Sequence, residues 1–167
     1  MINVRQLTAA DAPAVAALAA EFADYLIALG DTGAHNLTAD AIQRDGFGPN
    51  AAFGGLVAAA EATSPAGSSA ASDSALAGYL LYHLGYDADL AARNLHVIDL
   101  YVSPAARRQG AGRALMAEAA RLCREAGGAY LFWAVFIPNR LAADFYTALG
   151  ARYVQDLDFM TLAAGSL

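Results

Sequence analysis

Apolar residues recur at helical spacing from residue 12 to 29, at Val15, Leu18, Phe22 and Leu26. Capping candidates in Thr8-Ala9-Ala10-Asp11 precede the run and Gly30 follows it, so the pattern predicts an amphipathic helix. Before it, Met1-Ile2-Asn3-Val4-Arg5 reads as a short strand. A second, shorter helix is expected from Leu37-Thr38-Ala39-Asp40 to about Gly46-Phe47-Gly48. Residues 51–60 read as a strand despite their alanines. Residues 61–74, rich in Ser, Ala and Gly, lose all periodicity and read as a flexible hairpin loop. Aromatic and aliphatic runs at 76–86 and 94–102 predict two strands joined by a polar turn. An amphipathic helix is expected over 110–126, stopped by Gly127-Gly128, and a buried strand over 130–136. Pro138-Asn139 opens a further helix to Leu149, closed by Gly150, and residues 151–162 offer two short strands. The order βααβββαβαββ places the chain in the α/β class, as a mixed sheet with helices on both faces.

At 167 residues the chain fits one domain, residues 1–167, that buries roughly 70% of its unfolded surface. The single cysteine, Cys123, excludes an internal disulfide framework. It shares a helix stripe with Leu115, Ala119 and Leu122, which marks a packed thiol. No signal-type leader or membrane-length apolar run is read, so a cytoplasmic protein without membrane association is expected. The net charge of −6 makes nucleic acid an unsuitable partner and suits a cationic or neutral one. His35 and His83 stand too far from Cys or acidic clusters to suggest a metal site, and no metal is expected.

The run Leu100-Tyr101-Val102-Ser103-Pro104-Ala105-Ala106-Arg107-Arg108-Gln109-Gly110-Ala111-Gly112-Arg113 joins a strand to a glycine turn that opens directly into a helix. A helix start leaves N–H groups without partners and carries partial positive charge, and glycine lets a phosphate approach the backbone. A P-loop is excluded because the chain has no lysine, and a dinucleotide fingerprint because Arg113, Ala114 and Leu115 follow Gly112. What remains is Arg-x-x-Gly-x-Gly, from Arg107, Gly110 and Gly112. One helix and one strand later comes Asn139-x-x-Ala142-x-x-Phe145-Tyr146-x-x-x-Gly150. Asn139 and Tyr146, seven residues apart, lie on nearly one helix face.

The two motifs, in this order, resemble those of the GNAT superfamily of N-acetyltransferases. Asp45-Gly46-Phe47-Gly48, Gly78-Tyr79-Leu80-Leu81-Tyr82, Tyr86-Asp87 and Asp99-Leu100-Tyr101-Val102 make the chain most similar to the diamine (spermidine/spermine) N-acetyltransferases. The resemblance implies a mostly antiparallel sheet, acetyl-CoA as co-substrate and a homodimer. It also implies that the backbone at Leu100, Tyr101 and Val102 holds the pantetheine arm and that the turn Arg107, Arg108, Gln109, Gly110, Ala111, Gly112 and Arg113 takes the pyrophosphate. Asn139 and Ala142 would line the cofactor's far side, with Tyr146 at the thioester sulfur. Two departures stand out. Ile98 replaces an acidic residue that the diamine enzymes carry beside the position of Asp99, and the acidic pair after the first helix's tyrosine has no counterpart beyond Tyr25.

Transfer to an amine needs an acid for the departing thiolate, and the Tyr146 phenol, protonated at neutral pH, fits that role. Asp99 is the only acidic residue in the apolar run 95–102. Its carboxylate either meets the substrate amine or hydrogen-bonds backbone near a sheet bulge, and the sequence leaves both open. His96 is a second candidate base, on the opposite strand face from Asp99 by simple alternation. Tyr25, Tyr82, Tyr86 and Phe159, with Ile98, are candidates to line the amine pocket. The function expected is acetylation of a small molecule's primary amine. Acetylation of a polyamine or a protein or peptide amine, and a non-catalytic acyl-CoA-binding module, are the alternatives.

Overall fold

The computed structural model describes residues 2–60, 75–155 and 160–166. Strand β1 (Ile2–Gln6) leads through a 3₁₀ turn into helix α1 (Ala12–Ala28), and α2 (Ala39–Asp45) follows. Strands β2 (Gly54–Ala60), β3 (Leu76–Asp87) and β4 (Ala92–Val102) come next, then helix α3 (Ala111–Glu125), β5 (Gly128–Phe132) and α4 (Arg140–Ala148). The sheet order is β1-β2-β3-β4-β5, antiparallel as far as β4, with β5 parallel to β4. The parallel pair requires a crossover, which α3 supplies. The entry to α1 is fastened by Asp11, which accepts from the Thr8 N–H and hydroxyl and from both arms of Arg5 at 2.7 Å. The loop expected at 61–74 lies outside the described residues.

Alternation along the strands sends neighbouring residues to opposite faces and builds two cores. Leu56, Leu80, Leu95 and Val97 pack with Leu115, Met116, Ala119 and Cys123 of α3. Val57, Tyr79, Leu81 and Tyr101 pack on the other face with Val15 and Leu18 of α1 and Ile42 of α2. In β4 the alternation breaks once: Tyr82 pairs with Val97 but Leu81 pairs with Asp99, so Ile98 is the extra residue of a bulge. Val97 therefore faces α3 while Asp99 and Tyr101 face α1.

Two expectations change. The strand expected over 130–136 runs from Gly128 to Phe132 and is only half-buried. Its last rung, His96 to Phe132, lies just before the bulge, where β4 turns away and the ladder has no further partner. The two strands expected over 151–162 have no counterpart among the described residues there. Tyr153, Val154, Met160 and Leu162 stand exposed, and a strand needs a partner to form. Phe159 and residues 156–158 lie outside the described residues.

Candidate active site

Beyond the bulge, Leu100, Tyr101 and Val102 extend past the end of β5 and leave the β4 edge unpaired on that side. A cleft of about 360 Å³ fills the gap, with α4 (Asn139, Ala142, Phe145, Tyr146) as its other wall and Phe22 and Tyr25 of α1 beside it. At one end lies the turn between β4 and α3. Gly110 adopts φ +89 and Arg108 φ +62, a left-handed conformation that few non-glycine residues take. The bonding of α3 begins with the Ala114 N–H on the Gly110 carbonyl, so the N–H groups of Ala111, Gly112 and Arg113 project with no intrahelical partner. A Cβ at Gly112 would stand 3.2 Å from the Phe145 ring, so glycine here also lets α4 approach α3.

The three arginines of the turn do different things. Arg107 is folded back: its Nε donates to the Val102 carbonyl at 3.0 Å, and its guanidinium lies over the rings of Tyr25 and Tyr101, at 5.3 and 5.7 Å. Arg108 and Arg113 stand exposed beside the glycines. Gln109 does not line the cleft; its amide donates to the Ala105 carbonyl at 3.0 Å and braces the turn.

Asn139 is buried and caps α4, its Oδ1 accepting from the Ala142 N–H at 3.1 Å and from the Tyr25 hydroxyl at 2.9 Å. Two turns on, the Tyr146 ring packs on Trp133 and Phe145, with centroids at 4.8 and 5.2 Å. Burial, and then the charge of Asp99, push the Tyr146 phenol up to about 12, so it stays protonated. Asp99 accepts from the Tyr79 hydroxyl at 2.5 Å. Dehydration raises its carboxyl to about 6, against the opposing pull of Tyr79, the Leu100 N–H and His35.

Asp99 is not in the first cleft. It closes a second cavity of about 570 Å³ between α1 and residues 34–39, whose walls are Ala16, Ala19, Ala20 and Ala23 with His35 and Asn36. Phe22 belongs to both walls. His35 is tied to Asp31 at 3.3 Å. Of the residues proposed from sequence for the amine, Tyr25 joins the first cleft. Tyr82 packs with the α3 core and lies over Gly54, on the other face of the sheet from Asp99. Ile98 is exposed at the bulge, and Tyr86 is exposed near the end of β3. Phe159 is outside the described residues. Sequence reasoning missed Phe22 and the alanine wall, which read as helix filler, and Tyr79, whose contact with Asp99 depends on the bulge. It also set His96 on the wrong face: His96 pairs with His83 and Asp99 with Leu81, two apart on β3, so both lie on one face. Among the described residues no group of three or more His, Cys, Asp or Glu could hold a metal, and no helix is long and apolar enough to cross a membrane.

A mixed sheet parted beyond a bulge, with a glycine turn and helix start at one end of the gap and an Asn–Tyr helix along it, is the fold of the N-acetyltransferases. The chain belongs to the acetyltransferase (GNAT) family, whose model matches residues 34–151. It is 34% identical over 116 residues to a thialysine N-epsilon-acetyltransferase of Sus scrofa, a match that covers 70% of this chain and 65% of that protein. The match thus spans less than two thirds, 65%, of the length of this relative and of its Bos taurus counterpart. Among solved structures, a ribosomal-protein-alanine N-acetyltransferase from Brucella melitensis biovar Abortus 2308 superposes with a TM-score of 0.73 at 17% identity, over 97% of this chain and all (100%) of that one. An integron cassette protein from the mobile metagenome of V. cholerae gives 0.74 at 17% identity, over 98% and 93%.

Proposed function

We propose that the protein transfers an acetyl group from acetyl-CoA to the primary amine of a small molecule by direct attack. The observation that carries this reading is the Tyr146 phenol, held neutral in the first cleft, within electrostatic reach of an ionisable carboxylate that closes the second. The first cleft fits the co-substrate: an unpaired β4 edge can hydrogen-bond amide groups of an extended arm, as an added strand does. The projecting N–H groups at α3 and the free charges of Arg108 and Arg113 suit a pyrophosphate. Bound there, acetyl-CoA supplies an electrophilic thioester carbonyl and a thiol leaving group.

The chain's own groups do the rest. Asp99, ionised at neutral pH, holds the incoming ammonium in the second cavity, and the alanine wall leaves room for its body. An alkyl ammonium with pKa near 10.4 needs roughly 4 kcal/mol to be stripped of its proton at neutral pH, so the site must also accept that proton. Tyr146 donates to the departing sulfur. A single carboxylate suits one cationic amine, and the relatives' name, thialysine N-epsilon-acetyltransferase, points to an amine carried by an amino acid. A homodimer belongs to the same reading, supported by the exposed Tyr153, Val154, Met160 and Leu162; sedimentation velocity tests it.

The decisive experiment is CoA release with a panel of polyamines, amino acids, aminoglycosides and peptides, for wild type and Tyr146→Phe. Wild type is expected to turn over a small primary amine. The phenylalanine variant should lose about 10²- to 10⁴-fold in kcat with little change in KM, because the hydroxyl matters when the sulfur gains charge. Unchanged kcat, with chemistry shown to limit the rate, would reduce Tyr146 to a packing residue.

A further inference from the structure

Two voids must act as one in the reaction proposed above, and among the described residues a single side chain, Phe22, lines both. Their junction lies on β4. Asp99 closes the second cavity and Tyr101 lines the first cleft, and both point to the α1 side of the sheet. Alternate residues of a strand stand roughly 7 Å apart on one face, so the two walls approach within that distance here.

Phe22 stands over this step. Its ring stacks on Tyr101, with centroids 5.1 Å apart and planes 26° from parallel, and on Tyr25, at 6.5 Å and 21°. Both of those rings are anchored by their hydroxyls: Tyr101 donates to Glu21 at 3.3 Å and Tyr25 to Asn139 at 2.9 Å. An aromatic side chain has few rotamers, and stacking on two anchored rings holds Phe22 in one of them. Its α1 neighbours in the second cavity are Ala16, Ala19, Ala20, Ala23 and Leu26. A fixed ring in a wall made mostly of methyl groups narrows the space where it stands.

The proposed reaction brings the acceptor nitrogen to this junction. Asp99 attracts it from one side and the thioester lies on the other, near Tyr146, whose phenol feels the Asp99 charge. The carbon that carries the nitrogen then lies beside Phe22, with the rest of the acceptor in the alanine-walled cavity. We propose that Phe22 is a specificity-determining residue that selects primary amines borne on an unbranched carbon: a CH₂ next to nitrogen passes the ring, whereas a carbon with a further substituent meets it. The inference rests on the acetyl-transfer reading above and narrows its substrate class.

The test uses n-butylamine and sec-butylamine, isomers of similar basicity that differ in branching at the carbon next to nitrogen. CoA release from acetyl-CoA is followed in wild type, Phe22→Leu, Phe22→Ala and Phe22→Trp. Wild type should favour n-butylamine by about tenfold or more in kcat/KM. The preference should fall to about threefold or less in Phe22→Ala, fall part of the way in Phe22→Leu, and grow in Phe22→Trp. Phe22→Ala opens a void in the packing, but a ratio of two amines on one preparation does not depend on how much of it is folded, and Phe22→Leu keeps most of the apolar volume. A ring that only packs would lower both rates together, so an unchanged ratio across the variants would overturn the proposal. A wild type that accepts both isomers equally, or that acetylates other amines but neither isomer, would overturn it too. No CoA release by wild type with any amine would instead overturn the acetyl-transfer reading itself.

Discussion

Asp99 is a single residue held at a cost to stability. Its carboxyl is raised to about 6 because burial disfavours the charge. A folded pKa above the unfolded value means that the native state binds the proton more tightly. Stability should therefore increase as the pH falls from about 6 towards about 4, and the charged form weakens the fold at neutral pH. Asp99→Asn keeps an oxygen to accept from Tyr79 while removing the charge. We expect it to stabilise the protein by about 1–3 kcal/mol at pH 7, with the gain gone near pH 4, while turnover of an alkyl amine collapses. Urea unfolding at the two pH values, beside a CoA-release assay, checks both halves. A loss of stability at pH 7 would mean that the carboxylate is well solvated and the cavity is wetter than its walls suggest. Tyr146 differs, because its neutral form is the one its surroundings favour, and its removal should act on turnover alone.

The element on which the proposed cofactor binding turns is the start of α3. Two demands meet at Gly112: the N–H groups must stay accessible, and the Phe145 ring lies 3.2 Å from where a Cβ would stand. Gly112→Ala gains about 1 kcal/mol of helix propensity and loses a similar amount in pushing Phe145 aside, so its folding stability should change little. Gly112→Glu adds a carboxylate where the phosphates would sit and should weaken CoA binding by more than about tenfold, read by calorimetry. Undiminished affinity in Gly112→Glu would remove the pyrophosphate from this turn. Helix α4 is positioned by its N-cap residue. The Asn139 cap is shared between the Ala142 N–H and the Tyr25 hydroxyl, which ties α1 to α4 beside the cleft that Tyr146 lines.

Across the whole molecule, the chain carries a net charge of −6, yet among the described residues only one carboxylate, Asp99, lines the second cavity. On the proposed function, selectivity among amines would therefore depend on placement rather than on net charge. Spermidine and spermine should be poor substrates beside a smaller amine. Ile98→Glu should improve kcat/KM for spermidine by only about fivefold, since Ile98 is exposed at the bulge and a solvated carboxylate there contributes about 1 kcal/mol. A wild-type protein that already prefers spermidine would show that one carboxylate suffices for a polycation and that the alanine-walled cavity accepts it.

Periodicity determined most of the architecture, because helical and strand spacings report which face of each element is buried, and Leu56/Val57 and Leu80/Leu81 divide between the two cores as alternation requires. The turn at Gly110 and Gly112 and the Asn139–Tyr146 helix were legible because their chemistry is local, a backbone conformation and a seven-residue spacing. Tertiary structure alone decided the rest. Asp99 is the only acidic residue in the apolar run 95–102, but no local spacing fixes a bulge at Ile98, which changes the face of every β4 residue after it. The bulge puts Asp99 within reach of the Tyr79 hydroxyl and on the face of His96, and the pairing with β5 ends just before it, where the cleft opens. The two cavities likewise depend on how α1 lies across the sheet, which sets the alanines of one helix against a carboxylate about eighty residues away. Local spacing cannot encode a contact whose partners are chosen by the packing of whole elements.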